Sequence, residues 1–589
     1  MNIQTLDIMN IFMDQSYVNQ RMVAEQSGYS LGTVNRAIRE LVEEGYLDKN
    51  INLTLKAKGA FADRAPKRAV ILAAGYGMRM VPINTETPKG LIEVKGELLI
   101  ERLIKQLHES GIYEIHIVVG FMKEKYEYLI DEFGVNLIVS SEYAEKNNLH
   151  SLKLALKYLD NAYVMPCDIY FSINPFNRHE LYSWYMVSEA ADKESNVRIN
   201  RKMELVRTTN YDPGNTMIGL SYFIGNEASK LREKIIEYSQ NPQCDGWFWE
   251  ECLFNGNKMI VPARLAKSSE VFEINTYEQL RELDSNSNHL KNDALKIAAG
   301  ALDCDDTDIV NITILKKGMT NRSFLFSCKG KKYIMRIPGE GTSMLINRRE
   351  EASVYEKIAG KGICDNIVYL NPENGYKITE FLENSRCCDP INRDDVKKCM
   401  DKLRSFHHEK LEVEHEFDIF SKIDFYEELW DGTPSGYRDY ERTKAHVLSL
   451  KPYIEKNVGE KIICHMDSVP DNFLFVKKDG SEELRLIDWE YAAMQDPHVD
   501  IAMFCIYALY EREQIDDVID MYFEGNCPNN TRIKIYCYIA ACGLLWSNWC
   551  EYKRNMGVEF GEYSLRQYRY AKEYYKIAAS LIEQGERNQ

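Results

Sequence analysis

Residues His465 to Tyr491 read "HMDSVPDNFLFVKKDGSEELRLIDWEY". They set Asp467, Asn472 and Asp488 in the order H-x-D-x-x-x-x-N followed by I-D. Phosphoryl transfer to an alcohol requires such a set. Asp467 can orient the hydroxyl and accept its proton, while Asn472 and Asp488 can hold Mg²⁺ against the phosphates of ATP. A charged Asp, a neutral Asn and a second Asp at that spacing seldom arise as loop chemistry alone.

The residues upstream agree. "LKKGMTNRSFLF" puts Gly318, Thr320, Asn321 and Ser323 in a hairpin able to cover phosphates. Arg336, in "KKYIMRIPGEGT", takes the position where protein kinases have Lys, and Glu351, in "NRREEASVYE", is the candidate ion-pair partner. "ITEFLE", Ile378 to Glu383, fits a hinge that contacts adenine through backbone groups, with Glu380 at its centre. Thr313 to Tyr575 thus resembles the bacterial choline kinases, within the aminoglycoside-phosphotransferase-like group. The resemblance implies a bilobal, protein-kinase-like fold over 293–589, with a small β-rich lobe before a large helical one. It also implies that Asp500, in "DPHVDIAMF", braces the catalytic loop.

A quaternary ammonium donates no hydrogen bonds, so aromatic faces and a nearby carboxylate must hold it. Trp489 and Glu490 directly follow Asp488, and "LLWSNWCEYKRNMG" supplies Trp546 and Trp549 three apart on one helical face. Plain core packing is the competing reading for such a pair.

A second phosphate-handling signature lies far upstream. In "LAAGYGMRMVPINTETPKG", Leu72, Ala73 and Ala74 end an apolar strand, and Gly75 and Gly77 let backbone N–H groups close on phosphate oxygens. Arg79 and Lys89 would neutralise a triphosphate. Apolar strands alternate with helical stretches from Arg68 to about 288, which predicts an α/β domain with a mainly parallel sheet. The full string from about Val70 to Asp284 resembles the nucleotide-sugar and choline-phosphate nucleotidyltransferases, with a Rossmann-like fold. That resemblance implies that Asp168, in "YVMPCDIYF", holds Mg²⁺. Glu273 and Asn275, in "EINTYEQL", lie where a second acidic ligand is usual, with Asn in place of Asp at 275. It places Asn148 and Ser151, in "NNLHSLKLAL", near the nucleotide. Trp184 and Tyr185 in "LYSWYMV", and Trp247, Trp249, Glu250 and Glu251 in "DGWFWEE", form a second aromatic–acidic set for the same cation.

Residues 1–62 read as short helices and a small strand pair in "LDKNINLTLKAKG". "SLGTVNRAIREL" starts at a Ser30 cap, and the whole resembles a winged helix-turn-helix. Arg36 and Arg39 are the candidate DNA contacts. The local charge is nearly balanced, with nine Lys and Arg against eight Asp and Glu in residues 1–68, so a docking module is the other reading.

Composition bounds the rest. A chain of 589 residues, 45% hydrophobic and 28% charged, belongs to several globular domains. The net charge of −17 argues against general binding to nucleic acid or anionic membrane. Fifteen cysteines without repeated C-x-x-C spacing read as reduced thiols, and "MNIQTLDIMNIF" shows no signal-peptide pattern, so a cytoplasmic protein is expected. The expected activity is two consecutive steps: ATP-dependent phosphorylation of choline, then transfer of CMP from CTP to phosphocholine. The alternatives are the same chemistries on ethanolamine or an aminoalkylphosphonate, or a ligand-sensing DNA-binding regulator with degenerate enzyme domains.

Overall fold

The computed structural model describes residues 1–14, 19–193, 195–200, 202–208, 213–315, 321–338, 346–478, 480–555 and 560–587. Two compact units emerge: Met1–Leu295 with Ile312–Ile314, and Lys296–Asn311 with Leu315–Gln589. Among the described residues no helix is long and apolar enough to cross a membrane.

The first unit opens with helices Ile3–Asp14, Gln20–Ser27, Leu31–Glu43 and Leu55–Arg64. Ser30 caps the third through Thr33 N, and Val34, Ala37, Ile38 and Leu41 bury its inner face. The expected strand pair reduces to a single bridge, Leu47 to Leu53. Thr54 accepts from Ala57 N and so starts a helix where a second strand was predicted. Leu181 and Tyr182 of the α/β domain join the core of these helices. The Asp7 carboxylate accepts from Tyr29 and Tyr182 hydroxyls, each at 2.6 Å, and Arg64 Nη1 donates to Leu181 O at 2.8 Å.

The α/β domain carries a ten-stranded sheet. Its parallel part runs Asn136–Val139, Glu114–Val119, Arg68–Ala73 and Ala162–Pro166. Beyond that the sheet is mixed. Gly214–Phe223 pairs antiparallel with both Ala162–Pro166 and Trp184–Asp192. The mainly parallel expectation therefore holds for one half only. Among the described residues no crossover helix joins Trp184–Asp192 to Gly214–Phe223, and parallel pairing needs such a connection.

In the second unit an antiparallel sheet includes Asn321–Cys328, Lys331–Pro338, Lys377–Glu380 and Ile367–Leu370. Helix Arg348–Ile358 belongs to the same part of the chain. A helical lobe follows, built around Asn529–Asn555 and Glu562–Arg587. The first of these two buries residues on every side, including Trp546 and Trp549, so its sequence lacks a polar stripe. The kinase-type motif sits between short strands, Ile462–Cys464 and Ala493–Gln495, that pair antiparallel.

Candidate active sites

In the first unit a cavity of about 480 Å³ lies where strand Arg68–Ala73 runs out into the glycine loop. Leu72, Ala73, Ala74, Gly75, Gly77, Lys89, Asn148, Ser151 and Asp168 all border it. Gly77 has φ +59°, and a Cβ there would lie 2.7 Å from Lys89 Cγ, so only glycine lets the loop close over that lysine. Lys89 Nζ donates to Asp168 Oδ2 and Asn275 Oδ1, both at 2.6 Å, and Arg79 Nη2 reaches Asn275 Oδ1 at 3.0 Å. Asn275 is therefore engaged by two cations. Asp168 Oδ1 is buried without a hydrogen-bond partner among the described residues. The carboxyl of Glu273 is pushed up by burial and by the charge of Asp168. An acidic oxygen set with an orphaned buried oxygen fits a hard divalent cation.

Asn147, not Asn148, caps the helix that follows; the Asn148 side chain instead accepts from Trp249 N at 2.8 Å. Of the expected aromatic set, Tyr185 and Glu250 come together, with Tyr185 Oη 3.4 Å from Glu250 Oε1. Nearby, Gly219, at φ +83°, packs directly on Pro166, since a Cβ there would meet Pro166 Cδ at 2.9 Å. Burial pushes the Glu250 carboxyl up to about 7, with Glu273 and Glu251 adding to the rise.

Trp184 does not belong to this set. Strand alternation turns it to the opposite face of the sheet from Tyr185, where Arg264 covers its ring at 3.8 Å and its Nε1 donates to Glu180. Trp249 is likewise core, edge-on to Phe223, and Trp247 is partly exposed against Tyr238. Tyr76 and Tyr143, tilted together at 5.1 Å, border the cavity and went unnoticed in sequence, where nothing marks one tyrosine among thirty-seven.

In the second unit a cavity of about 790 Å³ is bordered by Ser323, Arg336, Asp467, Asn472, Asp488 and Glu490. Gly318 and Thr320 lie outside the described residues, as does the side chain of Asn321. Asn472 Nδ2 donates to Asp467 O at 2.9 Å and Oδ2 at 3.3 Å. Asp500 is fully buried; its carboxylate accepts from His465 N and Met466 N, each at 2.8 Å, and pairs with His407 Nε2 at 3.0 Å. That clamp fixes a loop in which Met466 has φ +63°, a conformation costly for a non-glycine residue. Burial, then the charges of Asp488 and Glu490, push the Asp467 carboxyl up to about 7. Two carboxylates and an amide oxygen again fit a hard cation.

Arg336 forks onto Glu351, Nη1 to Oε1 at 2.5 Å and Nη2 to Oε2 at 2.8 Å, and also donates to Gly375 O. Arg348 Nη1 bridges Glu351 at 3.0 Å and Glu490 at 3.2 Å. Glu490 borders the cavity, with its charge already shared by Arg348 and Arg336. Trp489 is wholly buried against Phe406 and His465, with Nε1 on Leu486 O, and does not border the cavity. Trp546 and Trp549 do, edge-to-face at 5.5 Å. Tyr507 lies 5.4 Å from Trp546, and Tyr491, Phe560 and Tyr563 complete the aromatic wall. Those four were missed because they are scattered over three segments. At the hinge, Thr379 borders the cavity, and Glu380 N donates to Asn366 O at 3.0 Å.

Fold and sites together define a transferase with two separate phosphate-handling centres and a helix-turn-helix module. The chain belongs to the choline-phosphate cytidylyltransferase family, joined to a choline/ethanolamine kinase half. Residues 312–541 match the choline/ethanolamine kinase family, 69–179 the MobA-like NTP transferase domain, and 1–48 a winged helix-turn-helix DNA-binding family. The choline-phosphate cytidylyltransferase of Streptococcus pneumoniae is 30% identical over 37% of this chain and 96% of its own. Protein LicA of Haemophilus influenzae is 28% identical over 42% of this chain and 76% of its own. The 2-aminoethylphosphonate cytidylyltransferase of Lancefieldella rimae is 28% identical over 38% of this chain and 95% of its own.

Proposed function

We propose that the second unit phosphorylates choline with ATP and that the first transfers CMP from CTP to the resulting phosphocholine, giving CDP-choline and pyrophosphate. The carrying observation is the aromatic wall of Trp546, Trp549 and Tyr507 in the cavity that also holds Asp467. Aromatic faces suit a quaternary ammonium, whereas a primary ammonium would call for hydrogen-bond acceptors, which the two indole rings do not offer.

In the kinase unit Asp467 takes the choline hydroxyl proton, and Asn472 with Asp488 would hold Mg²⁺. In the nucleotidyltransferase unit Lys89 and Arg79 neutralise the CTP phosphates, and Asp168 with Glu273 would hold the ion. Bound there, Mg²⁺ would offset negative charge on the phosphates. In-line attack by phosphocholine requires positioning and charge neutralisation, with no protein nucleophile. Glu250 receives the ammonium end, and the buried Tyr185 hydroxyl, 3.4 Å from its Oε1, positions that carboxyl. Asn148 and Ser151 lie beside the nucleotide.

Glu250 sets a pH dependence. Its raised carboxyl is neutral below about 7 and charged above it, and only the charged form attracts the cation. The KM for phosphocholine is therefore expected to rise as pH falls through that value, and Glu250→Gln to flatten the profile at the high KM. An unchanged profile in the variant would remove Glu250 from the site.

The N-terminal module is proposed to bind DNA through the exposed face of helix Leu31–Glu43, where Asn35, Arg36 and Arg39 project outward. Each phosphate contact should add about one unit to the log–log salt slope of binding. A gel-shift titration on the protein's own promoter at two salt concentrations tests this, and Arg36→Ala with Arg39→Ala should lower both affinity and slope. A salt-insensitive result would leave a docking module.

A further inference from the structure

Asp365 borders the kinase-unit cavity and takes no part in the steps above. The next residue, Asn366, clasps the hinge: its O accepts from Glu380 N at 3.0 Å, and its Nδ2 donates to the Glu380 carboxylate at 2.8 Å. Strand register pairs Ile367 with Thr379, which brings Asp365 close to the hinge end of the cavity. Leu315 and Ile334 border the same cavity and offer apolar faces for a flat ring. Asp365 Oδ1 is buried and has no hydrogen-bond partner among the described residues. Lys377, on the same wall, is committed elsewhere, to Tyr355 Oη at 2.7 Å and Glu351 at 4.0 Å. A carboxylate oxygen withheld from water and from any protein donor costs stability, and a donor carried by the ligand would relieve that cost.

We propose that Asp365 reads the base of the nucleoside triphosphate, accepting a hydrogen bond from the exocyclic amino group of adenine and rejecting guanine. Guanine presents a carbonyl oxygen at the same ring position, and two acceptors would then face each other in a buried place. A site built around a buried polar group discriminates strongly, because the wrong ligand leaves that group unpaired. Asparagine at 365 keeps the shape but can turn an amide N–H toward the guanine oxygen, so it should relax the choice rather than abolish turnover. The inference rests on the kinase reading of this unit.

The test compares kcat/KM for ATP, GTP and purine riboside triphosphate, which lacks the amino group, in the full-length protein with choline and Mg²⁺. The wild type is expected to favour ATP over both by at least about tenfold. Asp365→Asn is expected to narrow the ATP-to-GTP ratio by at least about tenfold, through the nucleotide KM, with the KM for choline and the cytidylyltransferase activity unchanged. If the variant folds poorly, wild-type discrimination against the purine analogue still decides. Equal use of ATP and that analogue by the wild type, or an unchanged ATP-to-GTP ratio in active Asp365→Asn, overturns the assignment alone. Absence of choline phosphorylation with every triphosphate overturns the kinase reading and the assignment with it.

Discussion

Asp467→Asn is expected to cut choline phosphorylation by about 10²- to 10⁴-fold while leaving conversion of supplied phosphocholine intact. The asparagine keeps the shape of the loop that Asp500 clamps through His465 N and Met466 N. It removes the one carboxylate placed to take the hydroxyl proton. ATP affinity, set by the cavity walls, should change little. The pH profile sharpens the test. Asp467 must be ionised to act, and burial holds its carboxyl up at about 7. The kcat/KM for choline should therefore fall about tenfold per pH unit on the acid side of that value, far above where an ordinary aspartate would titrate. Loss of both activities in Asp467→Asn would contradict two independent sites.

Asp168→Ala should stop pyrophosphate release while phosphocholine accumulates from choline and ATP. Asp168 is the carboxylate against Lys89 Nζ at 2.6 Å, and its second oxygen is buried without a hydrogen-bond partner among the described residues. Removing it leaves Lys89 without its carboxylate partner and removes the candidate metal ligand, so a loss of at least about 10³-fold is expected, comparable to removing a principal electrostatic contact in a transition state. The kinase half should run at its normal rate. Retained nucleotidyl transfer in Asp168→Ala would contradict the role given to this residue.

Much of this was legible in sequence because phosphate chemistry is written in short, local spacing. The Asp467–Asn472–Asp488 order, the Gly75–Lys89 loop and the Arg336–Glu351 pair each span few enough residues for motif reading, and the structure brings each set together. Cation recognition is different. Aromatic residues serve cores and ligands equally well, and only the turn of a strand or helix decides which. Trp184 and Tyr185 are neighbours in sequence yet face opposite sides of one sheet, so the pair could not both meet substrate. Trp489 follows a metal-type Asp but packs inward on Phe406 and His465. Tyr491, Tyr507, Phe560 and Tyr563 meet across segments that no local pattern links. The second strand predicted near Leu53 failed for a different reason, since the Thr54 cap outweighed the β-branched residues around it.

Phosphorus NMR of the intact protein supplied with choline, ATP, CTP and Mg²⁺ follows both steps in one sample. A phosphocholine signal is expected to rise first and then give way to the paired diphosphate resonances of CDP-choline as pyrophosphate appears. With CTP omitted, phosphocholine should persist; with ATP omitted and phosphocholine supplied, CDP-choline should still form. Phosphocholine that never converts in the presence of CTP, or choline that is never phosphorylated, would contradict the proposed two-step function.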